Sequence, residues 1–135
     1  MAAGYLLDTN ILSAAMRGEP RMLLNKLADI ALSRLHLSAI VLGELTAGAE
    51  KGTRRTATLA ALHALTADMA LVPFDADDAA AYGRIRAALE RKGATIGPMD
   101  MLIAAQAIAR GLVLVTDNLR EFKRVPGLHC ENWLR

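Results

Sequence analysis

The 135-residue sequence lacks most of what would mark a stapled, membrane-embedded or base-stacking protein. Its one cysteine, Cys130, excludes an intramolecular disulfide framework and a cysteine-rich zinc site. A reduced, cytoplasmic setting is expected. The longest uninterrupted apolar run, Met101 to Ala105, falls far short of the roughly 20 residues that a membrane helix needs. The N-terminus has no basic stretch, and Asp8 breaks its apolar run after Leu7, so no signal peptide is expected. Aromatic residues are 4% of the chain, too few for the stacking platforms that grip single-stranded RNA. Neither sign of charge dominates. The 16 Lys+Arg against 14 Asp+Glu leave a formal +2, compatible with a nucleic-acid partner but no argument for one.

What is present is apolar. Hydrophobic residues make up 53%, which excludes a disordered chain, and the length suits one domain over 1–135 with a real core. Short strand signals alternate with longer helical ones. Strands are expected at Tyr5 to Leu7, Leu35 to Ser38, Ala70 to Phe74 and Leu112 to Val115, with a weaker extended segment through His129 to Trp133. Helices are expected from Pro20 to about Ile30, Ala39 to Glu50 behind a Ser38 cap, and Arg55 to Thr66. Two more run from Asp75 or Asp77 to Lys92, stopped by Gly93, and from Gly97-Pro98 to Ala109, stopped by Gly111. Strands alternating with helices at this spacing predict an α/β fold with a parallel sheet covered on both faces.

In open parallel sheets the functional crevice lies at the carboxyl ends of the strands. Asp8 and Asp117 each follow a strand directly, where turn capping is the bland explanation. Glu44 has Ile40, Val41, Ala47 and Gly48 as its helical neighbours, and Asp100 has Ile103, Ala104 and Ala107. A helix-dipole role is the bland reading of Asp100. Carboxylates facing apolar and small residues are costly unless something compensates them. The topology can bring Asp8, Glu44, Asp100 and Asp117 towards one crevice, where they repel in the absence of a cation. All-oxygen ligation suits Mg²⁺ or Mn²⁺ over zinc, and such an ion serves hydrolysis of phosphodiesters. His36, His63 and His129 show no metal-ligand spacing.

The order of these pieces resembles a PIN-domain ribonuclease of the VapC type, the toxin of a bacterial toxin–antitoxin pair. The resemblance covers nearly the whole chain. It rests on Leu7-Asp8-Thr9-Asn10, on Ser38 through Gly48 with its Leu42-Gly43-Glu44-Leu45 core, and on Ile96-Gly97-Pro98-Met99-Asp100 through Ala105. Val115-Thr116-Asp117-Asn118 through Phe122, Val125 to Leu128 and Glu131-Asn132-Trp133 complete it. The resemblance implies a three-layer α/β/α fold with a short, mostly parallel central sheet, and Mg²⁺-dependent endoribonuclease activity in which Mn²⁺ substitutes. It implies Asp8 and Asp100 as the main metal ligands, with Glu44 completing the site. Its fourth acid commonly stands two residues after the motif threonine. Here that residue is Asn118, with Asp117 one place earlier, and both are candidates for the position. Thr9, Asn10, Thr116 and Asn118 suit roles in holding the ligands and water.

RNA must approach a negative site, so arginines beside it are expected, with Arg17 and Arg120 the first candidates for phosphate contact. Lys51, Arg54, Arg55 and the pair Lys123-Arg124 follow, and Arg84, Arg86, Arg91 and Lys92 read as the outer face of their helix. The apolar helices through Leu23 to Ile30 and Arg55 to Leu65 could supply a groove for a partner. The resemblance adds a VapB-type antitoxin and a homodimer. Two other functions fit the acids less completely: a catalytically silent interaction module, and a phosphohydrolase with Asp8 as nucleophile. The second normally needs another Asp where Asn10 stands.

Overall fold

The computed structural model describes residues 4–135, so residues 1–3 of the expected 1–135 domain and of the N-terminal stretch read for a signal peptide lie outside it. Five strands form one sheet in the order β3-β2-β1-β4-β5: β1 Tyr5–Leu7, β2 Leu35–Ser38, β3 Ala70–Val72, β4 Val113–Val115 and β5 Cys130–Glu131. Every pairing is parallel, with Tyr5 against Leu35 on one side and Val113 on the other. Seven α-helices accompany the strands and build the three-layer α/β/α arrangement: α1 Thr9–Arg17, α2 Arg21–Asp29, α3 Ala39–Lys51, α4 Arg55–Thr66, α5 Ala76–Lys92, α6 Pro98–Arg110 and α7 Leu119–Phe122. The chain travels outward from β1 to β3 and then returns across β1 to β4. Right-handed crossovers therefore place the helices before β3 on one face and those after it on the other. Leu6, Leu7, Leu114 and Val115 lie fully buried between these layers, packed with Ile11, Leu12, Ile103 and Phe122.

The expected strands and long helices are all present; β1, β2 and α4 keep the expected ends and the others shift. β3 stops at Val72 and not Phe74, because Pro73 has no N–H to give the ladder. Leu112 stays out of β4, since its N–H turns back to the Ala107 carbonyl across Gly111, which adopts φ 64. Pro20 is the cap of α2, while Ile30 is already extended. The extended segment at the C-terminus narrows to Cys130–Glu131, after which Trp133 folds inward edge-on to Tyr5. Two helices go beyond the sequence reading. α1 starts at once behind β1, with Asp8 as its cap and Gly18 in the left-handed region as its stop. α7 is a single turn behind β4. Both turn the chain back over the strand ends and so shape the site.

Ser38 does cap α3, its hydroxyl accepting from the Ile40 and Val41 N–H groups. Behind β3, Asp75 and Asp78 form a reciprocal capping box on α5, and Arg110 of α6 reaches both. At the opposite, amino end of the sheet Gly4 allows β1 and β2 to close. A Cβ there would stand 2.6 Å from His36 Cε1 and 2.7 Å from the Arg34 carbonyl oxygen. The carbonyl belongs to the backbone and cannot swing aside. Gly4→Ala is therefore expected to destabilise the fold by about 1–3 kcal/mol, seen as a lower urea midpoint at unchanged m-value. A midpoint equal to that of the parent chain would show that the sheet end yields.

Candidate active site

Four carboxylates from four elements converge at the carboxyl ends of the strands. Asp8 ends β1 and caps α1, Glu44 projects from α3, Asp100 stands in the first turn of α6, and Glu121 lies on α7. Asp8 keeps 5% of its surface and is fixed on both oxygens. Thr116 Oγ1 donates to Oδ2 and the Thr9 N–H donates to Oδ1, each at 2.8 Å. The Thr9 hydroxyl donates to Glu44 Oε1, also at 2.8 Å. Thr9 thus joins two acids from two elements through its backbone and its side chain. Glu121 accepts from the Gly97 N–H at 2.8 Å and from Asn118 Nδ2 at 2.7 Å.

The electrostatics follow from this crowding. Burial pushes the Asp8 carboxyl above the ordinary aspartate range against the pull of its Thr116 and Thr9 hydrogen bonds, and the charges of Glu44 and Glu121 add to the push. Asp100 is pushed up to about 6, first by burial and then by the charges of Asp8, Glu121 and Glu44. Glu121 moves the other way. The Gly97 N–H and then Asn118 hold it below the usual glutamate range. Among the described residues, no lysine or arginine forms a salt bridge with any of the four. Nor, among them, does any group of three His, Cys, Asp or Glu side chains already stand in an arrangement that could hold a metal ion. The donor set itself fits a hard divalent cation: all-oxygen, acidic and lacking internal neutralisation.

Asp117 does not join the other three sequence candidates. Its Oδ1 accepts from Asn132 Nδ2 at 2.9 Å and from Arg135 Nε at 3.3 Å, and these contacts hold it below the ordinary aspartate range. It ties down the C-terminal segment. Asn118 does not replace it as a ligand either. Its backbone N–H donates to Thr116 Oγ1 at 3.0 Å, and its amide presents Glu121. Asn10 accepts from the Asp117 N–H at 3.4 Å and so steadies the loop and not an acid. Glu121 was missed because strand-end reasoning inspects only the residues directly after β4. Its signal was the three-residue spacing from Asn118, which puts the two on one side of a helical turn.

Arg17 shares a groove with Glu44 alone of the four acids. With Thr9, Glu44, Gly48 and Arg54 it lines a groove of about 630 Å³ between α1, α3 and α4. Arg120 is exposed on α7, next in sequence to Glu121. Arg55 pairs with Glu50, and Arg124 donates to the Thr95 carbonyl at 3.1 Å. The groove confirms α4 as a lining element, whereas α2 faces a separate depression through Met22 and Lys26.

A parallel three-layer fold with acids gathered at the carboxyl ends of its strands accords with a nuclease, and kinship shows that class. Residues 5–128 match the model of the PIN domain, and the chain belongs to that family. It is 39% identical over 129 residues to tRNA(fMet)-specific endonuclease VapC of Salmonella typhimurium, covering 96% of this chain and 97% of that protein. Ribonuclease VapC2 of Rickettsia felis is also 39% identical, over 130 residues, with 96% and 97% covered. Among solved structures, DNA-bound VapBC from Salmonella typhimurium superposes with a TM-score of 0.90 at 38% identity, over 96% of this chain and 98% of that one.

The raised Asp100 carboxyl gives a stability test. Below its ordinary value of 3.8 it is protonated folded or unfolded, and between there and about 6 only the folded state holds the proton. That stabilising contribution is full below the unfolded value and is lost as pH rises through the folded one. In chelator, the melting temperature of Asp100→Asn relative to the parent is expected to climb between pH 4 and pH 7. A constant difference across that window would place Asp100 outside the repulsive cluster.

Proposed function

We propose that this chain is the toxin of a type II toxin–antitoxin pair, acting in the cytoplasm as one domain over 1–135. Its activity is a divalent-cation-dependent endoribonuclease that hydrolyses RNA phosphodiesters. The observation that carries this reading is the cluster of four carboxylates without a paired cation at the carboxyl ends of the strands. The kinship to proteins named ribonuclease VapC supports it along the full length.

Asp8 and Asp100 would hold the ion, Glu44 would orient the attacking water, and Glu121 would complete the acidic set in the place that Asp117 leaves. Mg²⁺, with Mn²⁺ as substitute, when bound lowers the pKa of the attacking water and neutralises charge on the scissile phosphate. Thr116 and Thr9 keep the lone pairs of Asp8 aimed and keep its carboxylate from rotating. Thr9 does the same for Glu44, and Asn118 with the Gly97 N–H does it for Glu121. Arg17 on the groove and Arg120 on α7 would draw the RNA backbone against the repulsion of the acids. The groove between α1, α3 and α4 offers a largely apolar floor with Glu44, Arg17 and Arg54 along it, a surface suited to the antitoxin. The solved VapBC relatives support that partner, and two toxin copies would form the homodimer.

The relative from Salmonella typhimurium carries tRNA(fMet) in its name, which makes that RNA the first substrate to test. Incubated free of antitoxin with total RNA and with tRNA(fMet), the protein is expected to cleave only when Mg²⁺ or Mn²⁺ is added, as mapped at the 5′ ends. Asp8→Asn and Asp100→Asn should each lower the rate by about a hundredfold or more, the scale of losing a group that stabilises charge at the reacting centre. Glu121→Gln should fall with them, and Asp117→Asn should stay close to the parent. Full cleavage by Asp8→Asn would overturn the reading. Absence of Mn²⁺ binding in calorimetry would favour the silent interaction module.

A further inference from the structure

Gln106 sits in the middle of α6 with none of its surface exposed. A buried amide is expensive to leave unpaired, and this one is used on both ends. Its Oε1 accepts from the Ser38 hydroxyl at 2.5 Å. Its Nε2 donates to the Val72 carbonyl at 3.1 Å and the Pro73 carbonyl at 3.2 Å. The amide therefore joins α6 to the end of β3 and to the junction where β2 becomes α3.

Ser38 is the other half of the device. The same oxygen that donates to Gln106 accepts from the Ile40 and Val41 N–H groups at 3.0 and 3.4 Å and so starts α3. Farther along α3 stands Glu44, and nearer the start of α6 stands Asp100. Helices are stiff over these lengths, so the joint between Ser38 and Gln106 fixes where the two carboxylates stand relative to each other. Both helices also contribute apolar residues to the core, among them Val41, Ile103 and Ala104, and apolar burial has no direction of its own. A hydrogen bond does. Repulsion among the acids drives the two helices apart, and the directional joint opposes it.

We propose that Gln106 is a positioning residue for the cleavage reaction, setting α6 against the capped start of α3 so that Asp100 and Glu44 meet the same substrate phosphate. The role rests on the nuclease reading above. It assigns work to a buried polar residue that lies away from the acids and touches no substrate.

The test compares two substitutions at this position on tRNA(fMet) cleavage in Mg²⁺ or Mn²⁺. Gln106→Met keeps length and bulk but removes the donors and the strong acceptor. Gln106→His keeps one acceptor and one donor, because a neutral imidazole carries one of each. Gln106→Met is expected to lower kcat by about tenfold or more with KM within about twofold, the scale of a lost orienting contact or a small misplacement. Gln106→His is expected to recover most of kcat. Thermal melts confirm that each variant is folded at the assay temperature. Should Gln106→Met not be, Ser38→Ala, which deletes the partner hydroxyl, carries the same expected split between kcat and KM. Folded Gln106→Met with the parent's kcat would overturn the proposal, as would Gln106→His falling equally far or KM rising in step. A parent chain that cuts no RNA with either cation would instead overturn the nuclease reading, and the positioning role with it.

Discussion

Repulsion among carboxylates brought together at one end of a parallel sheet is the constraint on which the rest of this structure depends. Each acid arrives on a different element, and three of the four are held by neutral donors: hydroxyls for Asp8 and Glu44, a backbone N–H and a side-chain amide for Glu121. Neutral donors orient a carboxylate and share its charge without cancelling it. The consequence is visible at Asp100, which has the least hydrogen-bond support and bears the accumulated field of the other three. The fold holds these groups together by its topology and, among the described residues, pairs none of them with a fixed cation.

The topology explains why this end of the sheet collects them. β1 is central, with β2 and β4 parallel on its two sides, so the chain reverses its direction of winding across β1. At such a switch point the helices that follow neighbouring strands diverge and leave a crevice. Asp8 sits in that crevice because it is the first residue after β1. Thr116, the first residue after β4, reaches it from the side. The same divergence brings α3 and α6 in from opposite directions, which is how Glu44 and Asp100 come close despite lying far apart in sequence. The order of the strands thus fixes Asp8 directly and the other three acids through the helices that follow β2, β3 and β4.

Much of this was legible in the residues. Alternation of short apolar runs with amphipathic segments marks a parallel α/β sheet, and Ser38, Gly93 and Gly111 mark helix ends where the structure has them. Glu44 and Asp100 stood out because acids among small apolar neighbours on a helix are costly unless something compensates them. Asp117 was misplaced for a physical reason. Strand-end position determines where a backbone emerges, but the side chain's direction depended on Asn132 and Arg135, which approach from the far end of the chain. Glu121 was hidden behind a helix of one turn, too short to carry a periodic signal. α1 was hidden differently. Asp8 serves at once as strand end, helix cap and acid of the cluster, and reading it as a turn residue concealed the helix that it starts.

A second pair of neighbouring acids in the same chain shows what the first group lacks. Asp78 is fully buried and Asp75 stands beside it, and the Arg110 guanidinium reaches Asp78 Oδ2 at 2.9 Å and Asp75 Oδ2 at 3.2 Å. That charge problem is solved permanently, and the result is a latch between α5 and α6. An arginine placed likewise among Asp8, Glu44, Asp100 and Glu121 would stabilise the fold and fill the site, leaving no deficit for an incoming cation and phosphate to meet. The formal +2 of the whole chain conceals this difference, since it weighs an acid with a fixed partner the same as one without. Arginine is available to this sequence and is used a short distance away. Its omission from the four-acid cluster leaves those carboxylates without a fixed counter-charge, the condition that a divalent cation would need in order to bind them.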